Sequence, residues 1–496
     1  MKPLQMMPQF WPLLVLAGGA FFSLITSVWG GRRSFRVTGL VALAVFVAAA
    51  YGFASMASPE FRIDSGILRF DSLGALLGFL ICLIGAVTVL FSYRYWENMA
   101  EPIREVLPLI VFAALGMVLM VLTTHLLTLV LALELMSLCL YVLVGSRRSD
   151  PKSSEGAIKY FLLGSVAAAF LLFGISFLYG ATGQMDLALM AQNPVPASMA
   201  LLFQVGVMLL LLGLAFKVAA VPFHFWAPDV YDGAPAPVTG FMAAGVKVAA
   251  FGAWLRVLQV LVSWEVLELR TLLTGLALAT MFVGNLTALR QRSFKRIMAY
   301  SSVAHAGYLL LGLATLVRGG HFDYEGMGVI LFYLGTYALL TLGVFALLTL
   351  LSSQGKEVGD LSELNGLAYR RPWIAAALSI FLISLAGIPP TAGFVAKYFL
   401  FARAIDVGLV WPAVLGILTS AVSLYYYLGP VVQMYFHEAP EAAAAPAAGW
   451  GLKLLVSFLV IGAFYLGLFP GKFLSWTQDA AKTAGQNPPV VTRMSR

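Results

Sequence analysis

The run LAFKVAAVPFHFWAPDVYDGAPAPVTGF (214–241) places Lys217 in an apolar stretch five residues before Pro222, with His224 two residues beyond it. A charged side chain at bilayer depth costs several kcal/mol unless it is paired, hydrated or deprotonated. Proline lacks a backbone donor and clashes with the carbonyl one turn back, so a helix through Pro222 must break. Broken helices persist at that depth only where they line protein or a watery cavity. A titratable lysine beside such a break is the layout of an ion path.

Six further residues could share that chemistry. Glu134 sits mid-run in LALELMSLCLYVLVG, where a carboxylate must be paired or protonated. Lys159, in SSEGAIKYFLLGS, follows Glu155 by one turn, a spacing that also makes ordinary surface ion pairs. His224 follows the break and titrates in the right range for a relay, or simply caps freed carbonyls. Lys247, in FMAAGVKVAAFGAW, is flanked by Gly240, Gly245 and Gly252, which permit close helix approach or leave room for water. His305 lies among Tyr300, Ser301, Ser302 and Tyr308, whose hydroxyls could hold waters. Lys397 follows a second break in GIPPTAGFVAKYF, at Pro389 and Pro390. Structural alternatives stand beside each: an ion pair that fixes helix packing for Glu134, snorkelling to an interface for Lys217 and Lys397, and a satisfied core histidine for His305. Lysine suits proton carriage because burial disfavours its charged form while a nearby carboxylate favours it. Shifting Glu134 toward or away from Lys217 would then switch the lysine between holding and releasing its proton. The carbonyls freed at the two breaks need partners, which ordered waters would supply.

These residues need helices to hold them. The chain has 496 residues, 60% of them hydrophobic and 11% charged. Such a composition belongs to an all-α polytopic membrane protein. Its formal charge of +8 implies no nucleic acid, because the basic residues sit in short loops between apolar runs. Cys82 and Cys139 form no CxxC pair, and the chain has no GxGxxG or P-loop. It is therefore read as carrying no redox cofactor and hydrolysing no nucleotide. At about 20 apolar residues per crossing, about fourteen transmembrane helices are expected, near 9–29, 37–57, 72–93, 107–124, 125–145, 156–180, 199–231, 237–262, 271–289, 296–317, 327–351, 373–402, 410–436 and 450–470. The first is read as a retained helix rather than a cleaved leader. Loops after odd-numbered spans hold most basic residues, among them Arg147, Arg148, Arg290, Lys295, Lys356 and Arg370, which places those loops in the cytoplasm and both termini outside.

An internal repeat is visible. Tyr160–Ser165 resembles Phe332–Thr336, and the break AAVP is matched by AGIPP. Spans 4–8 and 9–13 read as two five-helix units, the second inverted because five is odd, a pattern found in transporters. Setting Gly164 on Gly335 also sets Glu134 on His305. The expected divisions are a three-helix N-terminal segment (1–106), the first repeat (107–265), the second repeat (266–440) and a C-terminal helix and tail (441–496).

With these motifs in hand, the chain resembles the antiporter-like membrane subunits of respiratory complex I. The motifs FKVAAVPFHFWAPDVYDGAPAPVTGF, KRIMAYSSVAHAGY and SLAGIPPTAGFVAKYF are most similar to the subunit N type. Subunit M types typically carry a glutamate where Lys397 stands. Subunit L types carry a long lateral helix after their last spans, an extension this chain is read to lack. The resemblance implies a proton-translocating module of an NADH:quinone oxidoreductase. Glu134 and Lys217 would be the paired switch, Lys247 the central lysine and Lys397 the exit-side residue. His224, Lys159 and His305 would be accessory relay members. NADH, flavin (FMN), iron–sulfur clusters and quinone would reside in partner subunits, with M-like and K-like neighbours on the flanks and J, H, A and L subunits in the same arm. A bacterial inner membrane is the implied location. Two other classes stay open: a subunit of a multisubunit sodium–proton antiporter or of a related hydrogenase or ferredoxin-driven complex, and a scaffold whose charges only hold helices together.

Overall fold

In the computed structural model, residues 10–28, 31–57, 63–97, 99, 103–192, 195–262, 268–352, 357–438 and 450–485 are described. The divisions expected at 265/266 and 440/441, together with Lys356, lie outside them.

Helices account for nearly all of the described chain. Unsatisfied backbone groups are too costly in hydrocarbon, so a helix, which closes its own hydrogen bonds, is the default for each apolar run. In chain order they are α1 (Trp11–Val28), α2 (Gly31–Ser55), α3 (Ser72–Glu97), α4 (Val106–Leu122), α5 (Leu126–Val144), α6 (Pro151–Thr182), α7 (Ala200–Lys217), α8 (Trp226–Gly233) and α9 (Ala236–Leu261). There follow α10 (Leu269–Ala288), α11 (Phe294–Thr315), α12 (Tyr324–Leu351), α13 (Pro372–Ala386), α14 (Ala392–Asp406), α15 (Val410–Phe436), α16 (Trp450–Leu468) and α17 (Gly471–Gly485). Twelve of the described helical segments are long and apolar enough to cross a membrane, and α4 and α13 are shorter apolar helices. Each of the fourteen expected spans thus has its helix. The protein is a multi-pass membrane protein.

Polar residues punctuate the ends. The Asp150 side chain accepts from Lys152 N ahead of Pro151, and Ser293 and Asp323 cap α11 and α12 in the same way. The two prolines expected to break their spans do so. The first span divides into α7 and α8, the second into α13 and α14, with cis peptides at Val221–Pro222 and Pro389–Pro390. Gly393 permits the second break, since a Cβ there would lie 1.8 Å from the Ser384 carbonyl oxygen.

The two five-helix units correspond neighbour for neighbour. α4 packs on α5 and α9 as α10 packs on α11 and α15. α6 packs on both pieces of the first broken helix, and α12 packs on both pieces of the second. At the centre of the molecule α9, α11 and α12 are almost wholly enclosed, whereas α1, α6, α15 and α16 show much of their surface. Gly240, Gly245 and Gly252 bring α9 directly against Phe345, Met117 and Val121, the close approach their spacing predicts.

One element is new. Residues 441–496 read as a helix and a tail, but after α16 the chain forms the amphipathic α17. This helix lies along the first half of α12, with Gln478 against Gly328 and Phe473 against Gly335, and Trp476 packs edge-on to Phe79 of α3.

Candidate functional site

Three lysines are buried in the enclosed centre: Lys217 at the end of α7, Lys247 on α9 and Lys397 on α14. Among the described residues none of the three has a carboxylate within ion-pair distance; each ends on a serine. Lys217 Nζ donates to Ser137 Oγ of α5 at 2.7 Å. Lys247 Nζ donates to Ser302 Oγ of α11 at 2.8 Å and also to the Ser302 carbonyl. Lys397 Nζ donates to Ser420 Oγ of α15 at 2.8 Å. Each ammonium also faces an aromatic ring: Tyr160 at 5.4 Å for Lys217, Tyr337 at 4.6 Å for Lys247 and Tyr308 at 5.4 Å for Lys397.

The breaks aim these groups. At the second, Lys397 Nζ donates 2.9 Å to the carbonyl of Ala386, the last residue of α13. At the first, Trp226 Nε1 donates 3.1 Å to the Phe216 carbonyl near the end of α7. The Ala386 carbonyl thus has a side-chain donor, and the Phe216 carbonyl accepts from Ala219 N at 3.0 Å as well as from Trp226. The turn of α9 before Lys247 is a five-residue π-helix, Met242–Val246, an irregularity common where a side chain must be aimed at a site.

A path of polar groups, not continuously hydrogen-bonded, lies between the lysines. A cavity of about 20 Å³, room for about one water, is lined by Lys217, Tyr160, Tyr231, Lys247 and Ser302. The Tyr231 hydroxyl is 3.2 Å from Ser302 Oγ. One turn further along α11, His305 Nδ1 is 2.7 Å from the Tyr333 hydroxyl and Nε2 is 3.1 Å from the Tyr427 hydroxyl. Tyr427 also bonds Ser301. His305 stands within electrostatic reach of both Lys247 and Lys397.

The other sequence candidates lie off this path or at its edge. Glu134 is half-buried on α5, and its Oε1 is buried without a hydrogen-bond partner. It makes no ion pair with Lys217, whose amine bonds instead to Ser137, one turn along the same helix. His224 is buried in the first break with Nδ1 unpartnered, its ring 6.5 Å from that of Tyr300. Lys159 is 42% exposed and pairs at 2.6 Å with both Glu155 and Asp229. Asp229 in turn binds Arg296, so Lys159 belongs to a peripheral charge network.

Sequence reasoning passed over Ser137, Tyr231, Tyr333, Ser420 and Tyr427, because a serine or tyrosine within an apolar run carries no signal of its own. It also passed over a buried cluster at the loop ends. Glu357 accepts from Lys295, from the Tyr95 hydroxyl at 2.6 Å and from Ala236 N at 2.7 Å, with Arg147 at 3.6 Å. Burial alone would raise its carboxyl, but Lys295 and Arg147 hold it below the usual carboxylate range. Lys295 and Arg147 also donate to the carbonyls of Ala234 and Gly233, so the cluster clamps the turn that starts α9. A second buried pair, Arg256 with Asp71 at 2.5 and 2.6 Å, ties α9 to the start of α3. Among the described residues no group of His, Cys, Asp and Glu is placed to hold a metal.

The family model described as NADH:quinone oxidoreductase/Mrp antiporter matches residues 123–423, more than half of the chain. The chain belongs to this family. Those limits enclose the three lysines, both breaks, His305 and, of the Glu357 cluster, all but Tyr95. Among curated relatives in the family, NADH-quinone oxidoreductase subunit N of Trichlorobacter lovleyi is 42% identical over 84% of this chain and 85% of its own. Subunit N of Myxococcus xanthus is 37% identical over 96% and 97%. Among solved structures, a chain of respiratory complex I from Thermus thermophilus with bound aureothin is 35% identical, with a TM-score of 0.79 over 94% of this chain and 98% of that one. A chain of the Mrp complex from a Dietzia species has a TM-score of 0.82 at 23% identity, which speaks to the fold alone.

Proposed function

We propose that this chain is a proton-translocating membrane subunit of an NADH:quinone oxidoreductase, the assembly to which its subunit N relatives belong. Lys217, Lys247 and Lys397 carry the protons. The observation that carries this reading is the serine partner of each buried lysine. A lysine that only fixes structure takes a carboxylate in low dielectric, as buried Lys295 does here. A serine hydroxyl both donates and accepts, so it can serve an ammonium and a neutral amine alike. Glu134, whose buried oxygen is unpartnered, modulates Lys217 from α5. His224 and His305 are relay members, and Lys159 steadies the first break through Asp229.

Coupling comes from quinone reduction elsewhere in the complex, where NADH, FMN, the iron–sulfur clusters and quinone are bound. The outward apolar faces of α5 and α6, with Leu131, Leu138, Phe161 and Phe173, fit flanking M-like and K-like subunits and lipid. The subunit sits in the bacterial inner membrane with both termini outside. Its two repeats span 107–265 and 266–440, between an N-terminal segment at 1–106 and the C-terminal 441–496.

The test is proton uptake by vesicles carrying the assembled complex. Lys217→Ala should assemble yet lose pumping and coupled quinone reductase activity. Normal pumping by that variant would refute the reading. A sodium requirement for ion movement would favour the antiporter class of the same family.

A further inference from the structure

Ser301 and Ser302 are neighbours on α11, and their hydroxyls serve different partners. Ser302 meets Lys247 and Tyr231, while Ser301 meets Tyr427. Tyr427 is fully buried on α15, and its one hydroxyl contacts both Ser301 and His305 Nε2. His305 is held by phenols at both ring nitrogens. A neutral imidazole has one donor and one acceptor, so one of those tyrosines must donate to it while the other accepts. Which does which depends on the tautomer, and the chain Ser301–Tyr427–His305–Tyr333 can be polarised in either direction.

We propose that the Tyr427 hydroxyl is a proton-transfer group that links the Lys247 and Lys397 halves of the path through His305. This rests on the reading that protons move along the buried lysines. In each transfer the Tyr427 O–H bond breaks as a bond to His305 Nε2 forms, while Tyr427 takes a proton from Ser301. His305 then gives up its Nδ1 proton on the Tyr333 side. Ser301 is reprotonated from the Lys247 ammonium and the Tyr333 end discharges toward Lys397, each through water. One proton enters and one leaves, and no hydroxyl keeps a charge.

The titratable groups facing Tyr427 are His305 and Tyr308 on α11, Tyr333 and Tyr337 on α12 and Tyr426 beside it, and those facing its partner His305 include Lys397 on α14 and Lys247 on α9. The groups that act on Tyr427 most strongly are hydroxyls: Ser301, Tyr337, Tyr308 and Tyr426. A packing role would need the ring and not the acidity of its hydroxyl.

Two substitutions in the whole complex test this, with Lys247→Ala as reference. Tyr427→Phe deletes one oxygen and should lower coupled proton uptake by about a hundredfold or more, in the range lost with one proton-transfer group. A trifluorinated tyrosine at position 427 keeps the shape and acidifies the phenol, and it should move the pH profile of pumping. Full pumping by Tyr427→Phe while Lys247→Ala is inactive would overturn the role of Tyr427 and leave the lysine path standing. An unmoved profile with the fluorinated residue would do the same, including where the phenylalanine variant fails to assemble. Full pumping by Lys247→Ala would remove the lysine path and this link with it.

Discussion

At the scale of single residues, the informative contrast is between lysines that end on carboxylates and lysines that end on serines. Arginine tests it at Lys247. It keeps the cation and does not deprotonate at physiological pH. Lys247→Arg should therefore assemble but pump at about a hundredth of the wild-type rate or less, a loss typical of a removed acid–base group. Wild-type proton uptake in vesicles would instead make Lys247 a packing charge. Glu357 is the opposite case, a charge whose work is structural. Removing one partner of a buried ionic cluster costs about 3–5 kcal/mol, so Glu357→Gln should lower the thermal stability of the complex clearly at pH 7. The sign of its pH dependence follows from the depressed carboxyl. The stabilisation is complete above about pH 4.3, where an unfolded-chain glutamate ionises, and is lost as pH falls through the lower folded value. Melting curves of wild type and variant should therefore converge in acid, and a gap that widened there would refute the assignment.

At the scale of elements, the breaks are where sequence and structure agree most closely, because proline leaves a helix no alternative. Gly393 supplies a sharp test. Gly393→Ala forces a methyl group into the Ser384 carbonyl and should cost more than the ~1–3 kcal/mol of ordinary overpacking, since a backbone atom must move. Gly275→Ala, on an open face of α10 with no atom nearby, should be neutral or stabilise by ~0.5–1 kcal/mol. Quantifying assembled complex after a heat step would separate the two, and equal yields would remove Gly393 from the break. The spans themselves were legible because hydropathy is all that a crossing requires. α17 was not, because a 15-residue helix with one apolar face lacks the long apolar run that marks a crossing. The lysines and His305 were legible because charge is rare in apolar runs. Their partners Ser137, Ser420 and Tyr427 were not, because nothing in the local sequence distinguishes a hydroxyl that meets a lysine from one that bonds its own helix. Arg147 and Lys295 were read only as topology signals, since their shared partner Glu357 lies 62 residues beyond Lys295.

At the scale of the whole molecule, the Glu357 cluster draws on α3, the end of α5, the start of α9, the start of α11 and the segment after α12. During synthesis Lys295 therefore emerges 62 residues before the carboxylate that neutralises it, whereas Arg147 has Asp150 at 2.8 Å from the start, so the turn at Gly233 and Ala234 lacks the counter-charge of its second donor. The first five-helix unit would be inserted yet still open until Glu357 arrives, so closure of this half is timed by translation of the other. A nascent chain stalled at residue 350 should be cut by protease near 233–236, whereas one stalled at residue 438 should resist. Equal protection of both would mean that the first unit seals alone. On this reading residue 357 is a checkpoint in biogenesis, which keeps a half-made proton path from closing into a leak.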